Sequence, residues 1–167
     1  QASAVHAAYL ILFDRESAED VVQTAFIKVV ERIHQFDSNR PFAPWFFRIV
    51  INDSIKVARR QKPLFSLDDP SDELTTHLTD WVKDKTPGPE KMYEQKEFRE
   101  HILSAIHSLP VEYRSVFVMR YIQGFSEVDM SEKTHRPIST IKWWLREARK
   151  RMFHLINEFE ERGTENE

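Results

Sequence analysis

The chain has 167 residues, of which 41% are hydrophobic and 31% are charged, a composition ordinary for a globular protein. It has only three glycines and no cysteine, so disulfide frameworks and thiolate metal sites are excluded and a reducing, cytoplasmic location is expected. No apolar run approaches the roughly 20 residues that span a bilayer, so direct membrane insertion is not expected. Because Gln1 begins inside a helical pattern, we expect the natural N-terminus to lie upstream.

The basic residues concentrate in two segments, although the formal net charge is −3. In residues 37–62 there are six basic residues against two acidic ones, and in residues 136–152 there are six against one. Local charge, rather than net charge, determines where an anionic partner binds. The pattern therefore predicts two separate contacts with an anion such as nucleic acid.

The first third of the chain predicts three helices. Residues 4–13 have the pattern of a helix end, and a second helix runs from a capping box at Ser17 and Asp20 to about residue 36. Phe26, Val30 and Ile33 are among the residues predicted on its apolar face. Residues 37–44 are a loop by composition, and residues 45–61 are helical again with a basic end. Part of that charge suits the helix dipole, so it has a structural explanation as well.

The segment 63–89 differs in composition from the rest of the chain. It holds six acidic residues, two lysines and the sequence Pro-Gly-Pro at its end, which predicts a flexible acidic linker, with a short amphipathic stretch near 74–82. As a coil it would average roughly 30 Å end to end. Helices are predicted over 90–109 and 111–122.

A helix-turn-helix follows. Ser126 and Asp129 have capping-box spacing, Pro137 interrupts the first helix, and Ser139 or Thr140 can cap the second, which carries most of the local positive charge. Such a pair of helices can place its second helix in the major groove of DNA. A solvated basic helix on an ordinary bundle is the alternative for this segment alone.

The predicted fold is therefore all-α, with two small helical domains joined by the flexible acidic linker. The domains are 1–62 and 90–167, the linker is 63–89, and the second domain contains the helix-turn-helix.

The order of four segments resembles that of a bacterial extracytoplasmic-function (ECF) sigma factor, a promoter-specificity subunit of RNA polymerase. These segments are AEDVVQTAFIKVVERIHQFD (18–37), RPFAPWFFRIVINDSIKVARRQK (40–62), SLDD (66–69) and ILSAIHSLPVEYRSVFVMRYIQGFS (102–126) with the helix-turn-helix after it. The resemblance implies a transcription initiation factor without enzymatic activity or cofactor. It also implies three partners: core RNA polymerase, promoter DNA and an anti-sigma factor, which in this family is often membrane-anchored.

The resemblance also implies site residues. The first domain would contact core polymerase, and its loop and third helix would recognise and melt the −10 element, where flipped bases can stack on aromatic side chains. The second domain would meet the −35 element through phosphate or base contacts. The implied residues are Asp20, Gln23, Thr24 and Lys28 for polymerase; Asp37, Ser38, Asn39, Arg40, Phe42, Asn52, Lys56, Arg59 and Arg60 for the −10 element; and Ser139, Thr140, Lys142, Trp143, Arg146, Arg149 and Lys150 for the −35 element.

Three positions of the second domain depart from the family pattern, and in the first domain Lys56 stands where an aspartate is common. His135 stands where the turn usually holds a glycine, Trp144 replaces an arginine, and Glu147 replaces a basic residue. Trp144 and Glu147 leave open an alternative, a sigma-like decoy that binds an anti-sigma factor without driving transcription. An enzyme is not expected, since the chain has no HExxH pair, no Gly-rich phosphate loop and no Gly-x-Ser-x-Gly elbow.

Overall fold

The structure is a computed structural model that describes residues 2–60 and 89–164. Within these residues the regular elements are all helical, which confirms the predicted all-α fold. The elements are α1 (Ala2–Leu12), α2 (Arg15–Arg32), a 3-10 turn (Ile33–Gln35), α3 (Phe42–Arg60), α4 (Pro89–Ser108), α5 (Val111–Phe117), a π-helical turn (Val118–Ile122), α6 (Glu127–Thr134) and α7 (Ile138–Thr164).

Helices α1 to α3 form the first module around a core of small and branched side chains. Ala8 of α1, Val22 of α2 and Val50 of α3 are essentially inaccessible to solvent. Alanines on α1 let the helices approach closely, while Phe46 of α3 fills the space beside Phe26, with ring centroids 4.7 Å apart. This packing fixes the orientation of α3, whose outer face carries the predicted −10 residues.

Two of the predicted helix starts are wrong. Helix α2 is capped by Asp14, whose carboxylate accepts from the Ser17 amide at 3.1 Å, because Asp14 has the extended backbone that lets its side chain reach back. Helix α3 begins at Phe42, inside the predicted loop, and the Phe42 ring stacks on Phe46 one turn later in the same helix.

The start of α7 also differs from the prediction. The carbonyl of Pro137 accepts from the amides of Thr140 and Ile141 at 2.9 and 3.1 Å, so the helix begins at Ile138. Ser139 and Thr140 therefore lie in its first turn rather than at the cap. Pro137 has no amide of its own to donate and lies just before the first helical residue, where its carbonyl accepts the first bonds of the helix.

The helix-turn-helix is present as predicted. Ser126 and Asp129 form a reciprocal capping box at the start of α6, and His135 adopts the left-handed conformation (φ 55°) that ends it. Histidine enters this region more readily than most residues, so the turn forms without glycine. The predicted linker 63–89, with its amphipathic stretch, lies outside the described residues except for Pro89, where α4 begins.

The two modules share a hydrophobic core. Ile11 of α1 and Ile51 of α3 belong to the same buried cluster as Val116 of α5, Met119 of the π-helical turn and Ile141 of α7. The sequence predicted the modules but not this contact. Because the cluster is continuous, the position of each module in this structure is set by the other as well as by its own packing.

Candidate nucleic-acid and polymerase interfaces

The predicted −10 residues of α3 lie on one helical face. Asn52, Lys56, Arg59 and Arg60 follow at intervals of four, three and one residues, which keeps them within about 100° of arc. Lys56 and Arg60 are exposed, and Lys56 lies 3.5 Å from Asp53. Together with the loop between α2 and α3 and with Phe42, these residues form the surface that we call the −10 surface.

The loop before α3 is organised by Asp37. Its carboxylate accepts from both the backbone amide and the side-chain amide of Asn39 at 3.0 Å, and it lies 3.5 Å from Arg40. The Asp37 carbonyl also accepts from the Arg40 amide. Asp37 therefore holds the loop in shape, which leaves Ser38 and the exposed Arg40 as its outward side chains.

Aromatic rings line the edge of this loop. Phe36 lies 5.6 Å from Phe42 and 5.2 Å from Trp45, and Phe42 stacks on Phe46 at 5.9 Å. Phe42 remains 41% exposed. A partly exposed ring held by its neighbours can stack with an unpaired base at little entropic cost.

A cavity of about 820 Å³ lies beside these rings, between the first module and α6. Its walls include Trp45, Pro41 and Asn52. Most of its remaining lining is charged, with cations and acidic groups from both modules. The charged lining residues are Lys28, Arg32, Arg40, Arg48, Lys56 and Lys133 together with Asp37, Asp53, Asp129 and Glu132.

The predicted −35 residues lie on the outer side of α7. The helix is anchored by the buried side chains Ile141, Leu145, Ala148 and Met152. The opposite side therefore faces solvent, and Thr140 alone among the predicted residues is partly buried. We call the exposed remainder the −35 surface: Ser139, Lys142, Trp143, Arg146, Arg149 and Lys150.

Two cations of the −35 surface have acidic neighbours. Lys142 lies 3.8 Å from Glu127 of α6, and Arg146 lies 3.6 Å from Glu147. Trp143 is 46% exposed and packs edge-on against Tyr113, with centroids 5.7 Å apart. Exposed ion pairs are weak, so they leave Lys142 and Arg146 free to exchange an acid for a phosphate.

The predicted polymerase residues do not all face the same way. Asp20, Gln23 and Thr24 are exposed on α2. Lys28 turns towards α3, where its ammonium lies 2.6 Å from the largely buried Asp53 carboxylate. Lys28 thus links α2 to α3, whereas Asp20, Gln23 and Thr24 are exposed to solvent.

An exposed apolar stripe lies beside those residues on α2, and the sequence analysis missed it. Ile27 is 56% exposed and Val30 is 76% exposed, and Ile33 follows at 51%. Val30 and Ile33 were predicted to be buried, which is wrong because α1 and α3 cover only the opposite side of α2. The sequence did carry a signal for this stripe: the apolar residues of α2 extend around more of the helix than a single buried face can cover. Exposed apolar stripes of this kind mark protein-binding surfaces.

The junction between the modules is held by Arg114 of α5. Its guanidinium donates to the Ile11 carbonyl at 2.8 Å and to the Leu109 carbonyl at 3.2 Å, and it lies 5.4 Å from the Phe13 ring. Burial lowers the pKa of Arg114 to about 10, which still leaves it charged at neutral pH. Burial and the nearby Arg114 charge also lower the pKa of His107, whose ring meets Phe13 at 4.4 Å.

Comparison with known proteins identifies the family. Residues 2–63 match sigma-70 region 2 and residues 99–152 match sigma-70 region 4. The chain is 35% identical over 136 residues to the ECF RNA polymerase sigma factor SigW of Bacillus subtilis (strain 168), covering 80% of this chain and 72% of that protein. The chain belongs to the ECF sigma factors. It is also 27% identical over 148 residues to the ECF sigma-E factor of Haemophilus influenzae, covering 85% and 76% of the two chains.

Two solved structures share the fold of this sigma factor. The sigma factor RpoE from Bartonella quintana, solved with the anti-sigma factor NepR, has a TM-score of 0.65 at 17% identity and covers 93% of this chain and 91% of its own. CnrH, solved with the cytosolic domain of CnrY, has a TM-score of 0.61 at 19% identity and covers 94% and 81%. These likenesses extend over both modules.

Other site types were searched for in the described part of this sigma factor. Residues 2–60 and 89–164 contain no group of three or more histidine or acidic side chains placed to hold a metal ion. Over the same residues, no helix is both long and apolar enough to cross a membrane.

Proposed function

We propose that this sigma factor binds core RNA polymerase and directs it to specific promoters, acting in the cytoplasm as a non-enzymatic initiation factor. The observation that carries the proposal is the presence of two basic helical surfaces on two modules, each within its own sigma-70 region. One surface has a partly exposed aromatic ring, Phe42, for unpaired bases, and the other is a recognition helix for duplex DNA.

Each domain has its own binding partners in this proposal. Domain 1–62 binds polymerase through the exposed face of α2 and engages the −10 element through the −10 surface. Domain 90–167 engages the −35 element through the −35 surface, and segment 63–89 spans the two. The polymerase contact consists of the apolar stripe with Asp20, Gln23 and Thr24, and Lys28 supports it by pairing with Asp53.

An anti-sigma factor is the third proposed partner. The RpoE neighbour was solved with its anti-sigma factor NepR, and CnrH was solved with the cytosolic domain of CnrY. In this sigma factor the exposed Ile27 and Val30 offer the apolar surface that such a protein can bind. We propose that the anti-sigma factor, membrane-anchored or not, competes with polymerase for this stripe.

Run-off transcription tests the proposal directly. The full chain is combined with core polymerase on a fragmented genomic library, and the transcripts are sequenced. We expect discrete start sites that share two upstream elements. The variant Arg59→Ala/Arg60→Ala should lower promoter opening and leave polymerase binding intact, because both arginines lie on the −10 surface. Lys96→Ala, an exposed cation of α4, is the matched control and should leave both unchanged.

The decoy alternative predicts a different result. It is favoured by Glu147, which pairs with Arg146 and removes positive charge from the −35 surface. A decoy would bind an anti-sigma factor and yield no specific transcript in the same assay. Equal loss of polymerase binding in the Arg59→Ala/Arg60→Ala variant would instead contradict the assignment of these arginines to DNA.

A further inference from the structure

We infer that Arg136, in the turn of the helix-turn-helix, is a further residue that binds a phosphate of duplex DNA, and that Trp144 of α7 is the positioning residue that holds it. Arg136 is not among the residues of the −35 surface. The inference deepens the proposed −35 contact and rests on it. The contact between Arg136 and Trp144 can be measured without DNA or polymerase, so it can fail independently of the proposed function.

The backbone of Arg136 is held by α6. The Ser131 hydroxyl donates to the Arg136 carbonyl at 2.6 Å, and the Arg136 amide donates to the Ser131 carbonyl at 3.3 Å. Pro137 follows, and a proline disfavours helical backbone in the residue before it. The chain therefore passes from α6 to α7 with the backbone of Arg136 fixed directly before the recognition helix.

The side chain of Arg136 lies over an aromatic ring. Its guanidinium carbon is 6.0 Å from the centroid of the Trp144 ring, at the outer limit of a cation–π contact. Trp144 is half-buried and packs against the hydrophobic cluster that contains Met130 and Leu145. Because the core holds the ring in place, the contact restricts the guanidinium rather than the ring.

Arg136 differs from other cations of the second module in its neighbours. No acidic side chain that the structure describes forms an ion pair with it. By contrast, Lys142 lies 3.8 Å from Glu127, and Arg146 lies 3.6 Å from Glu147. A phosphate would therefore displace a carboxylate from Lys142 or Arg146 but none from Arg136.

The position of Arg136 suits a contact with the DNA backbone. It is exposed and precedes Ile138, the first residue of α7, by two positions. A recognition helix places its N-terminal residues against base edges in the major groove. A side chain just outside that end meets the phosphates that border the groove, and phosphate oxygens are the commonest targets of arginine in such complexes. Arginine also binds phosphate bidentately.

The local charge around Arg136 is positive. Arg136 and Trp144 line a cavity of about 350 Å³. Its charged lining consists of four cations and one acid: Lys56, Arg59, Lys133, Arg136 and Glu112. Clustered cations raise the local potential for an anion. The electrostatic surroundings of Arg136 therefore favour a phosphate.

This arrangement gives Trp144 a role that an arginine there would not have. Trp144 packs on the core and lies outside the −35 surface, so the tryptophan does not remove a cation from that surface. Its ring instead restricts Arg136 before DNA binds. Restricting a side chain in advance reduces the entropy that is lost on binding. The missing cation at position 144 is thus replaced by a held cation at position 136.

NMR on the free chain tests the contact with the ring. The side-chain protons of Arg136 nearest its guanidinium should be shifted upfield by the Trp144 ring. The shift should disappear in Trp144→Leu and persist in Trp144→Phe, and both variants keep an apolar side chain against the core. Trp143→Leu, which removes the neighbouring exposed ring, is the matched control and should leave the shift unchanged. Unshifted Arg136 protons in the unmodified chain would overturn the positioning role.

The salt dependence of DNA binding tests the phosphate contact. The probe is a random-sequence duplex of about 20 base pairs, roughly two helical turns, because phosphate contacts carry non-specific binding. Arg136→Gln should make the slope of log K against log salt shallower by about 0.9. Lys96→Gln, at an exposed cation of α4, is the matched control and should keep the original slope. An unchanged slope in Arg136→Gln would overturn the phosphate contact, even if run-off transcription identifies a promoter.

A double-variant cycle on the same duplex tests whether Trp144 acts through Arg136. Trp144→Leu should weaken binding about twofold to fivefold, and Trp144→Phe should bind like the unmodified chain. In the Arg136→Gln background, Trp144→Leu should cause no further loss, because the ring then has no cation to hold. Losses that multiply in the double variant would show that Trp144 affects DNA binding by another route and would overturn its positioning role.

Discussion

The −10 and −35 surfaces differ less in charge than in what lies against them. On α3, Arg59 donates two hydrogen bonds to Glu112, and Asn52 donates to a carbonyl of α6. On α7, Lys142 and Arg146 lie 3.8 and 3.6 Å from the half-buried acids Glu127 and Glu147, and both acids belong to the same module as α7. Two basic helices of similar sequence character thus have different neighbours. Polar side chains of α3 contact the other module, whereas the cations of α7 contact acids of their own module.

Replacing Arg114 should weaken the contact between the two modules more than any other substitution considered. Arg114→Ala removes two hydrogen bonds to carbonyls and leaves the Ile11 carbonyl without its charged donor, which costs about 1.5–3 kcal/mol. We expect the modules to separate, and energy transfer between dyes attached at Glu16→Cys in the first module and Ser104→Cys in the second to fall.

Arg120→Ala is the matched control for that experiment. Arg120 also donates to a carbonyl, that of Phe125 at 3.0 Å, but both residues belong to the second module. It should change the stability of that module and leave energy transfer between modules unchanged. If Arg120→Ala opens the chain as much as Arg114→Ala, the effect of Arg114 is not a property of the junction.

The apolar stripe on α2 gives the next largest expected effect. Val30→Glu puts a charge on a side chain that is 76% exposed, so it should not destabilise the fold. If the stripe is buried by polymerase, the charge should weaken binding to core polymerase by about tenfold or more. The −35 surface should bind duplex DNA as before, which separates loss of polymerase contact from loss of DNA contact.

Phe153→Glu controls for the loss of an exposed apolar side chain. Phe153 is 68% exposed on α7, in the second module. Polymerase binding measured by competition against labelled unmodified chain should be lost in Val30→Glu and retained in Phe153→Glu. Equal retention in both variants would place the polymerase contact elsewhere on the first module.

Much of the fold could be predicted from the sequence, because local signals determine it. The capping box at Ser126 and the left-handed His135 are backbone effects of nearby residues, and both are present. Helix starts were less accurate where two signals competed. Ser17 and Asp14 both offer a capping side chain, and only the extended backbone of Asp14 decides between them.

The contact between the modules could not be predicted in the same way. Ile11, Ile51 and Val116 each fit a helical apolar pattern, and a pattern does not say whether its partner belongs to the same module. Arg59 illustrates the consequence, since its sequence position indicates DNA binding while its structure shows a bond to Glu112. The residue roles on both surfaces remain predictions, whereas the faces on which the residues lie are observed.

The capping box at the start of α6 gives a smaller expected effect, on the stability of the second module. The Ser126 hydroxyl and backbone amide bond to the Asp129 carboxylate at 2.6 and 3.1 Å and hold its pKa below its usual value of 3.8. A lowered folded pKa means that this stability is present above the unfolded pKa and is lost as pH falls through the folded one. Ser126→Ala should lower the free energy of unfolding by about 1 kcal/mol.

Denaturant unfolding followed between neutral pH and pH 3 measures this effect. The unmodified chain should lose the contribution of the cap in acid, so the difference between it and Ser126→Ala should shrink below pH 3.8. Ser108→Ala, which removes a hydroxyl bonded to the Ala105 carbonyl, is the matched control and should show no such convergence. A difference that is constant across this range would mean that the carboxylate does not contribute to the cap.

Replacing Glu147, beside the −35 surface, gives the smallest expected change in DNA affinity. This residue lies 3.6 Å from Arg146, so Glu147→Arg removes a competitor for that guanidinium and adds a second cation. If the new side chain reaches a phosphate, affinity for −35 duplex DNA should rise a few-fold, and the slope of log K against log salt should steepen by about 0.9. Glu147→Gln releases Arg146 without adding a contact, so it should raise affinity less and leave the slope nearer its original value. An unchanged slope in both variants would place Glu147 away from DNA, and the loss of a basic residue there would then leave −35 recognition intact.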